Sequence, residues 1–113
     1  MNDSGISVED FQRVDMRVGT VLSAELNPKA RVSAYVLRID FGELGERISS
    51  AQITDNYSAE ELVGRQIVAV ANFPPKRVAG VRSEVLVLGA VTETKGVLLL
   101  ESMGPVENGT RIA

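Results

Sequence analysis

The fold follows from one stretch, Met16-Arg17-Val18-Gly19-Thr20-Val21-Leu22-Ser23, in which side chains alternate between two faces with the period of a β-strand. The alternation predicts a core face and an outer face. On the core face we place Met16, Val18, Thr20 and Leu22, and on the outer face Arg17, Gly19, Val21 and Ser23. A glycine inside a strand favours a bulge or tight bend, so we expect one at Gly19, as a small barrel needs at its corners.

Strand patterns recur along the chain, with turn residues between them. In the clearest of them Leu37, Ile39 and Phe41 point inward and Arg38 points outward. The segments that read as strands are 16–23, 36–41, 47–53 and 66–73, followed by short apolar runs at 85–88 and 97–100. Only 47–53 is small and polar on both faces, which indicates an open surface or the floor of a groove.

Two capping-box patterns predict short helices. The first begins at Ser7 and extends over about 7–14, and the second begins at Ser58 and is closed by Gly64. A helix between the third and fourth strands is typical of one small barrel. We therefore predict an all-β fold, a five-stranded OB-fold Greek-key barrel over about 15–112, forming a single domain of residues 1–113.

Composition excludes several classes of function. The 113 residues contain no cysteine and no histidine, which removes disulfides, thiolate chemistry and the commonest general base and zinc ligand. No EF-hand loop or Gly-rich phosphate loop is present. We expect a binding module rather than an enzyme, with no cofactor and no metal.

The same kind of reading gives an expected location. No apolar run is long enough to cross a bilayer, and residues 1–5 have neither a basic start nor an apolar stretch. We therefore expect no membrane insertion, no secretory signal and a cytoplasmic protein.

The late apolar runs 85–88 and 97–100, together with 66–73, carry apolar residues on both faces. A five-stranded barrel has one interior, so the second face needs another cover. Either a second subunit or the N-terminal helix supplies it. We expect a homodimer whose interface lies in the C-terminal third.

The loop from Phe73 to Ser83 concentrates positive charge in a chain whose formal net charge is −3. Stiff loops between strands are where OB folds bind oligonucleotides. Phosphate-binding candidates in the loop and near it are Lys76, Arg77, Arg82, Ser83, Arg17, Lys29, Arg31 and Arg38. The alternative is a solvated loop whose cations serve solubility. Because aromatic residues are few, folded RNA is a better candidate ligand than an unstructured single strand.

The polar strand 47–53 suggests a second kind of ligand. A floor of small polar residues beside apolar walls suits an extended polypeptide. The predicted groove residues are Tyr35, Ser49, Ser50, Gln52, Asn72, Phe73 and Pro74.

Two motifs resemble a known family. Asp15-Met16-Arg17-Val18-Gly19 resembles the "D-[LM]-R-V-G" opening of the tRNA-binding OB domain, which occurs alone and attached to methionyl- and phenylalanyl-tRNA synthetases. The loop Asn72–Ser83 resembles its second signature, with Lys, Gly and Ser after a leading Asn. The resemblance implies an OB-fold homodimer whose RNA-contacting loop carries Lys76, Arg77, Arg82 and Ser83, with Asn72 holding its shape.

Within that family the chain resembles the CsaA branch of secretion chaperones. The likeness rests on Ala34-Tyr35, 39–42, 49–54 and 83–89 and extends over about 11–112. It implies binding of unfolded or pre-secretory polypeptides and of the export ATPase, with tRNA binding as the alternative. Asn27-Pro28 stands where many relatives have His-Pro, and Val85 stands where they often carry methionine.

Overall fold

The computed structural model describes residues 5–113. The first four residues of the predicted domain, and most of the N-terminal stretch in which we expect no signal, lie outside this range. Helix α1 is Val8–Gln12, shorter than the predicted 7–14, and begins at Ser7 with the predicted capping box. Its end at Gln12 lets the chain enter the first strand at Met16.

The main sheet is built from five strands in the order β3-β2-β1-β4-β7. Their bounds are Met16–Leu26 (β1), Tyr35–Asp40 (β2), Glu46–Ala51 (β3), Gln66–Val70 (β4) and Leu86–Val87 (β7). All pairs are antiparallel, and Arg111–Ile112 (β10) adds a short pairing to the start of β1. A nearly closed, mostly β barrel results, as predicted.

Two hairpins are separate from this sheet. One pairs Lys76–Val78 (β5) with Val81–Ser83 (β6), and the other pairs Gly89–Val91 (β8) with Val97–Leu99 (β9). The apolar runs 85–88 and 97–100 therefore contain the short strands β7 and β9.

The predicted helix between the third and fourth strands is α2, Ala59–Leu62. The pKa of Glu61 lies below its usual value, chiefly because of a hydrogen bond from the Ser58 backbone and secondly because of one with the Ser58 hydroxyl. The positive charge of nearby Arg65 lowers this pKa further. A depressed carboxyl pKa stabilises the fold above the unfolded-state value and ceases to do so as the pH falls through the folded-state value. This cap therefore weakens only in acid.

Val18 is buried, as predicted, but the faces assigned to Gly19, Val21 and Arg17 are wrong. The bulge lies between Val21 and Ser23 and not at Gly19. Ahead of it, the face that meets the core contains Gly19 and Val21, because a Cβ on Gly19 would lie 2.7 Å from Ile39 Cγ2 and Val21 is part of the core cluster. By alternation Arg17 shares this inward face, contrary to the prediction that it points away from the core.

Gly19 therefore marks a close approach in the barrel. A Cβ placed there would also lie 2.8 Å from Phe41 Cδ1, and Phe41 is fully buried. We expect Gly19→Ala to lower the free energy of unfolding by about 1–3 kcal/mol, the usual cost of overpacking a core. Urea unfolding measures this, with Gly104→Ala as the control because no atom lies within 4 Å of a Cβ there. A Gly19→Ala variant as stable as the wild type would contradict this packing.

Several large apolar side chains of the C-terminal third are exposed. Val91 is 85% exposed, and Leu98, Leu100, Met103 and Val106 are exposed as well.

No helix in residues 5–113 is long and apolar enough to cross a membrane. The same residues include no cluster of three or more acidic side chains that could hold a metal ion.

Candidate ligand-binding surface

The basic loop predicted from the sequence is the β5–β6 hairpin, and it has two faces. Its two-residue turn, Ala79-Gly80, has positive φ at both positions (47° and 84°), as a tight hairpin turn requires. Arg77 stands opposite Arg82, while the neighbouring pairs, Lys76 with Ser83 and Val78 with Val81, point to the other side. The hairpin thus presents an arginine pair on one face and a mixed polar and apolar surface on the other.

The second face forms one wall of a groove. Two adjoining concavities, of about 320 Å³ and 500 Å³, share Ser50, Lys76, Val78 and Leu86. We call this continuous depression the hairpin groove. Its further lining includes Phe73, Pro74, Ser83, Gln52, Val91 and Val97.

The hairpin is fixed against β3 by hydrogen bonds from one short segment. The Glu84 amide donates to the Ile48 carbonyl at 2.7 Å, and the Ile48 amide donates to Glu84 Oε1 at 2.9 Å. The Ser50 amide donates to Ser83 Oγ at 3.1 Å. The Ser83 hydroxyl therefore helps to close the barrel, while the groove wall is held in a fixed position.

This docking corrects part of the predicted groove. Ser49 is fully buried and donates its hydroxyl to the Val85 carbonyl at 3.1 Å. Tyr35 is buried and its hydroxyl donates to the Tyr57 carbonyl at 2.7 Å. Neither residue lines the groove, because Ser49 lies under Val85 and Tyr35 is held against Tyr57.

Asn72 has a structural position rather than a place in the groove lining. Its side-chain Nδ2 donates to the Arg13 backbone carbonyl at 2.7 Å, and its side-chain Oδ1 accepts from the Asp15 backbone amide at 2.9 Å. It joins the entry of β1 to the end of β4, just before the groove residue Phe73. The predicted residues that do line the hairpin groove are Ser50, Gln52, Phe73 and Pro74.

The arginine pair is the most electrostatically unusual feature of the hairpin. Arg77 and Arg82 are both exposed and directly opposite each other, and like charges in that position destabilise a hairpin. The Arg77 guanidinium donates to the Gly80 carbonyl at 3.2 Å, and within residues 5–113 no salt bridge joins either arginine to an acid. Two neighbouring cations with no acidic partner in the described part of the chain form a surface suited to phosphate groups.

The other predicted cations divide into two groups. Lys29 lies against the hairpin turn, since a Cβ placed on Gly80 would be 3.3 Å from its Cδ, and Arg31 is exposed in the same 27–34 loop. Arg38 instead pairs with Glu46 at 3.4 Å. Arg17 forms a salt bridge with Asp15 at 2.6 Å and donates to the Gly109 carbonyl at 3.0 Å. Its guanidinium is therefore already engaged in contacts within the fold.

Comparison with known proteins places this architecture. Residues 16–111 match a family model described as "Putative tRNA binding domain". The chain belongs to the tRNA-binding domain family.

Solved structures show two kinds of relative of this tRNA-binding domain. The CsaA chaperone from Bacillus anthracis is 56% identical, with a TM-score of 0.93 over 97% of this chain and 100% of that one. A protein from Pyrococcus horikoshii described as related to methionyl-tRNA synthetase is 33% identical, with a TM-score of 0.86 over 97% and 99% of the two chains. The methionine–tRNA ligase of Archaeoglobus fulgidus is 41% identical over 95% of this chain, which spans 16% of that ligase.

Two residues of this tRNA-binding domain position the hairpin and were not among the predicted site residues. Glu84 holds its base on β3, as described above. Asn27 holds its turn, because its amide donates to the Ala79 carbonyl at 3.3 Å. Ala79 has an unfavourable positive φ that costs an ordinary residue about 1–2 kcal/mol, so an external hydrogen bond to its carbonyl helps to keep the turn in place. The only sequence signal for Asn27 was its departure from the family's His-Pro.

Proposed function

We propose that this chain is a CsaA-like, export-related molecular chaperone that binds unfolded or pre-secretory polypeptides in the hairpin groove. The observation that carries the proposal is the continuity of the groove, in which Ser50, Lys76, Val78 and Leu86 line both of its halves. The likeness to two solved CsaA chaperones supports it, and the second of these, from Picrophilus torridus, is 47% identical with a TM-score of 0.91.

The lining of the groove suits an extended chain. Phe73 and Leu86 are each half exposed and offer apolar contacts to client side chains. The polar side chains of Ser50 and Gln52 are available to backbone amides and carbonyls that a client would otherwise leave unpaired. Few of these contacts are ionic, so the binding is expected to be only weakly salt-dependent.

A homodimer fits the same proposal. The exposed apolar side chains of the C-terminal third that do not line the groove, among them Leu98 and Met103, are the surface on which a second copy would pack. Two grooves on one dimer raise the avidity for a long unfolded client. Sedimentation equilibrium measures the mass directly, and a species of 12.1 kDa at all concentrations would rule the dimer out. Cytoplasmic location and contact with the export ATPase belong to this chaperone role.

The second candidate function is structure-specific tRNA binding by the basic loop 76–83. Arg77 and Arg82 favour it, because they face outward and form no salt bridge within residues 5–113, and the family match favours it as well. With about four phosphate contacts, the logarithm of the affinity should fall with the logarithm of the salt concentration at a slope of roughly −3 to −4.

Binding at two salt concentrations tests both roles. The purified protein is titrated with a reduced, permanently unfolded polypeptide and, separately, with total tRNA, at 50 mM and 200 mM salt. We expect polypeptide affinity to change by less than about threefold and tRNA affinity by about 100-fold, because only the second depends on counterion release. No polypeptide binding at either salt concentration would refute the chaperone proposal.

A further inference from the structure

Asn27 links two basic segments that are far apart in the sequence. Its side chain is 9% exposed and makes two hydrogen bonds. The amide donates to the Ala79 carbonyl in the hairpin turn at 3.3 Å, and the side-chain carbonyl accepts from the Lys29 amide at 3.0 Å. One buried polar group therefore fastens the 27–34 loop to the turn of the β5–β6 hairpin.

This fastening decides where Lys29 lies. The ammonium nitrogen of Lys29 would be 3.7 Å from a Cβ placed on Gly80, and the Arg77 guanidinium donates to the carbonyl of the same Gly80. The two cations thus meet around one residue. Like charges repel, so without a fixed connection the loop would be expected to move its lysine away from the arginine.

We propose that Asn27 is a positioning residue that adds Lys29 to the phosphate-binding surface formed by Arg77 and Arg82. The inference rests on the tRNA-binding part of the proposed function and specifies the cations that contact the phosphates. Asn27 itself is buried and touches no ligand. It acts by holding Lys29 at a fixed distance from the arginine pair, so that adjacent phosphates of one folded RNA reach all three cations.

Two substitutions separate this role from local folding. Asn27→Ala removes both hydrogen bonds. Asn27→Ser leaves a hydroxyl oxygen that can still accept from the Lys29 amide, as serine does in local turns. The serine side chain is too short to reach the Ala79 carbonyl. If Asn27→Ala proves unstable to urea, Asn27→Ser alone decides the question.

The readout is the salt slope of tRNA binding, which a loss of folded protein alone does not change. We expect Asn27→Ser to weaken binding about fivefold at 0.1 M salt and to make the slope shallower by roughly 0.7–0.9, the share of one phosphate contact. Lys29→Ala should give the same change, and Asn27→Ser/Lys29→Ala should be no weaker than either alone.

Two outcomes refute this inference without refuting tRNA binding. In the first, Asn27→Ser has the wild-type affinity and salt slope. In the second, the fold-loss of tRNA affinity in the double variant equals the product of the losses in the two single variants. The charge reversal Arg77→Glu/Arg82→Glu is measured beside them. If that reversal leaves tRNA binding unchanged, the phosphate-binding surface itself is wrong and the inference fails with it. If the reversal weakens binding strongly while Asn27→Ser keeps the wild-type affinity and salt slope, only the positioning role is refuted.

Discussion

Reversing the charge of Arg77 and Arg82 together is expected to weaken tRNA binding by about 100-fold at 0.1 M salt, because two phosphate contacts are lost and the two introduced carboxylates repel the RNA phosphates. The salt slope should become shallower by about two. Polypeptide binding should stay within twofold, since both arginines point away from the hairpin groove. Fluorescence anisotropy with labelled tRNA and with a labelled unfolded peptide, each at several salt concentrations, measures the two effects.

A matched control separates the arginine pair from net charge. Arg13→Glu/Lys95→Glu makes the same change in formal charge at two other exposed positions. We expect this control to weaken tRNA binding by less than about threefold. Equal losses in the two double variants would mean that overall charge, and not the hairpin, attracts the RNA. An unchanged tRNA affinity after reversal of Arg77 and Arg82 would remove the second candidate function.

Leu86→Asp is expected to weaken polypeptide binding at least tenfold, equivalent to about 1.4 kcal/mol or more. Leu86 lines both halves of the hairpin groove, so a carboxylate there replaces an apolar contact and must lose water when a client binds. Because its side chain is 50% exposed, the fold should tolerate the change. Peptide titration and suppression of client aggregation both report the effect, whereas the tRNA salt slope should keep its wild-type value.

Val63→Asp is the matched control for this substitution. Val63 is 51% exposed, at the end of α2, and is not among the residues lining the hairpin groove. It should bind polypeptide as the wild type does. If Val63→Asp and Leu86→Asp lose binding equally, clients are held by scattered surface contacts and the groove is not the binding site.

Leu86→Asp and the charge reversal of Arg77 and Arg82 together test whether one hairpin binds two ligands on opposite faces. Alternation along β5 and β6 puts Val78 and Lys76 on the groove wall and Arg77 on the opposite face. A ligand in the groove and a phosphate on the arginines therefore contact different side chains of the same strands. Substitutions on one face should leave the other activity intact.

Much of the barrel could be predicted because its signals are local. Capping boxes at Ser7 and Ser58 located both helices, and alternation located β2, where Leu37 and Ile39 are fully buried. Apolar residues on both faces of 66–70 correctly indicated a strand buried on both sides. Each of these features depends on side chains only a few residues apart.

The errors came from contacts that a local pattern does not contain. The bulge in β1 lies beyond Val21 and not at Gly19. Alternation alone did not show which face of β1 meets Ile39 and Phe41, so Arg17 was assigned to the wrong face. Tyr35 and Ser49 were expected in the groove, yet they are buried by pairing with residues 22 and 36 positions away along the chain. The predicted residues Phe73, Pro74 and Ser50, which do line the groove, lie beside the hairpin itself.

The roles of Asn27 and Glu84 depend on the same kind of contact. Each side chain bonds the backbone of a residue at least 36 positions distant, at Ala79 and Ile48 respectively. Nothing in the neighbouring sequence indicates these partners. Two polar side chains thus position the hairpin through contacts that form only in the folded barrel.

The most direct test of the central claim is a map of amide chemical shifts in the isotope-labelled protein during titration with an unfolded peptide. If the hairpin groove binds polypeptide, the largest changes will fall at Ser50, Val78 and Leu86, while Arg77 and Arg82 change little. Changes concentrated on the arginine face or at the exposed C-terminal residues, with the groove unaffected, would contradict the account.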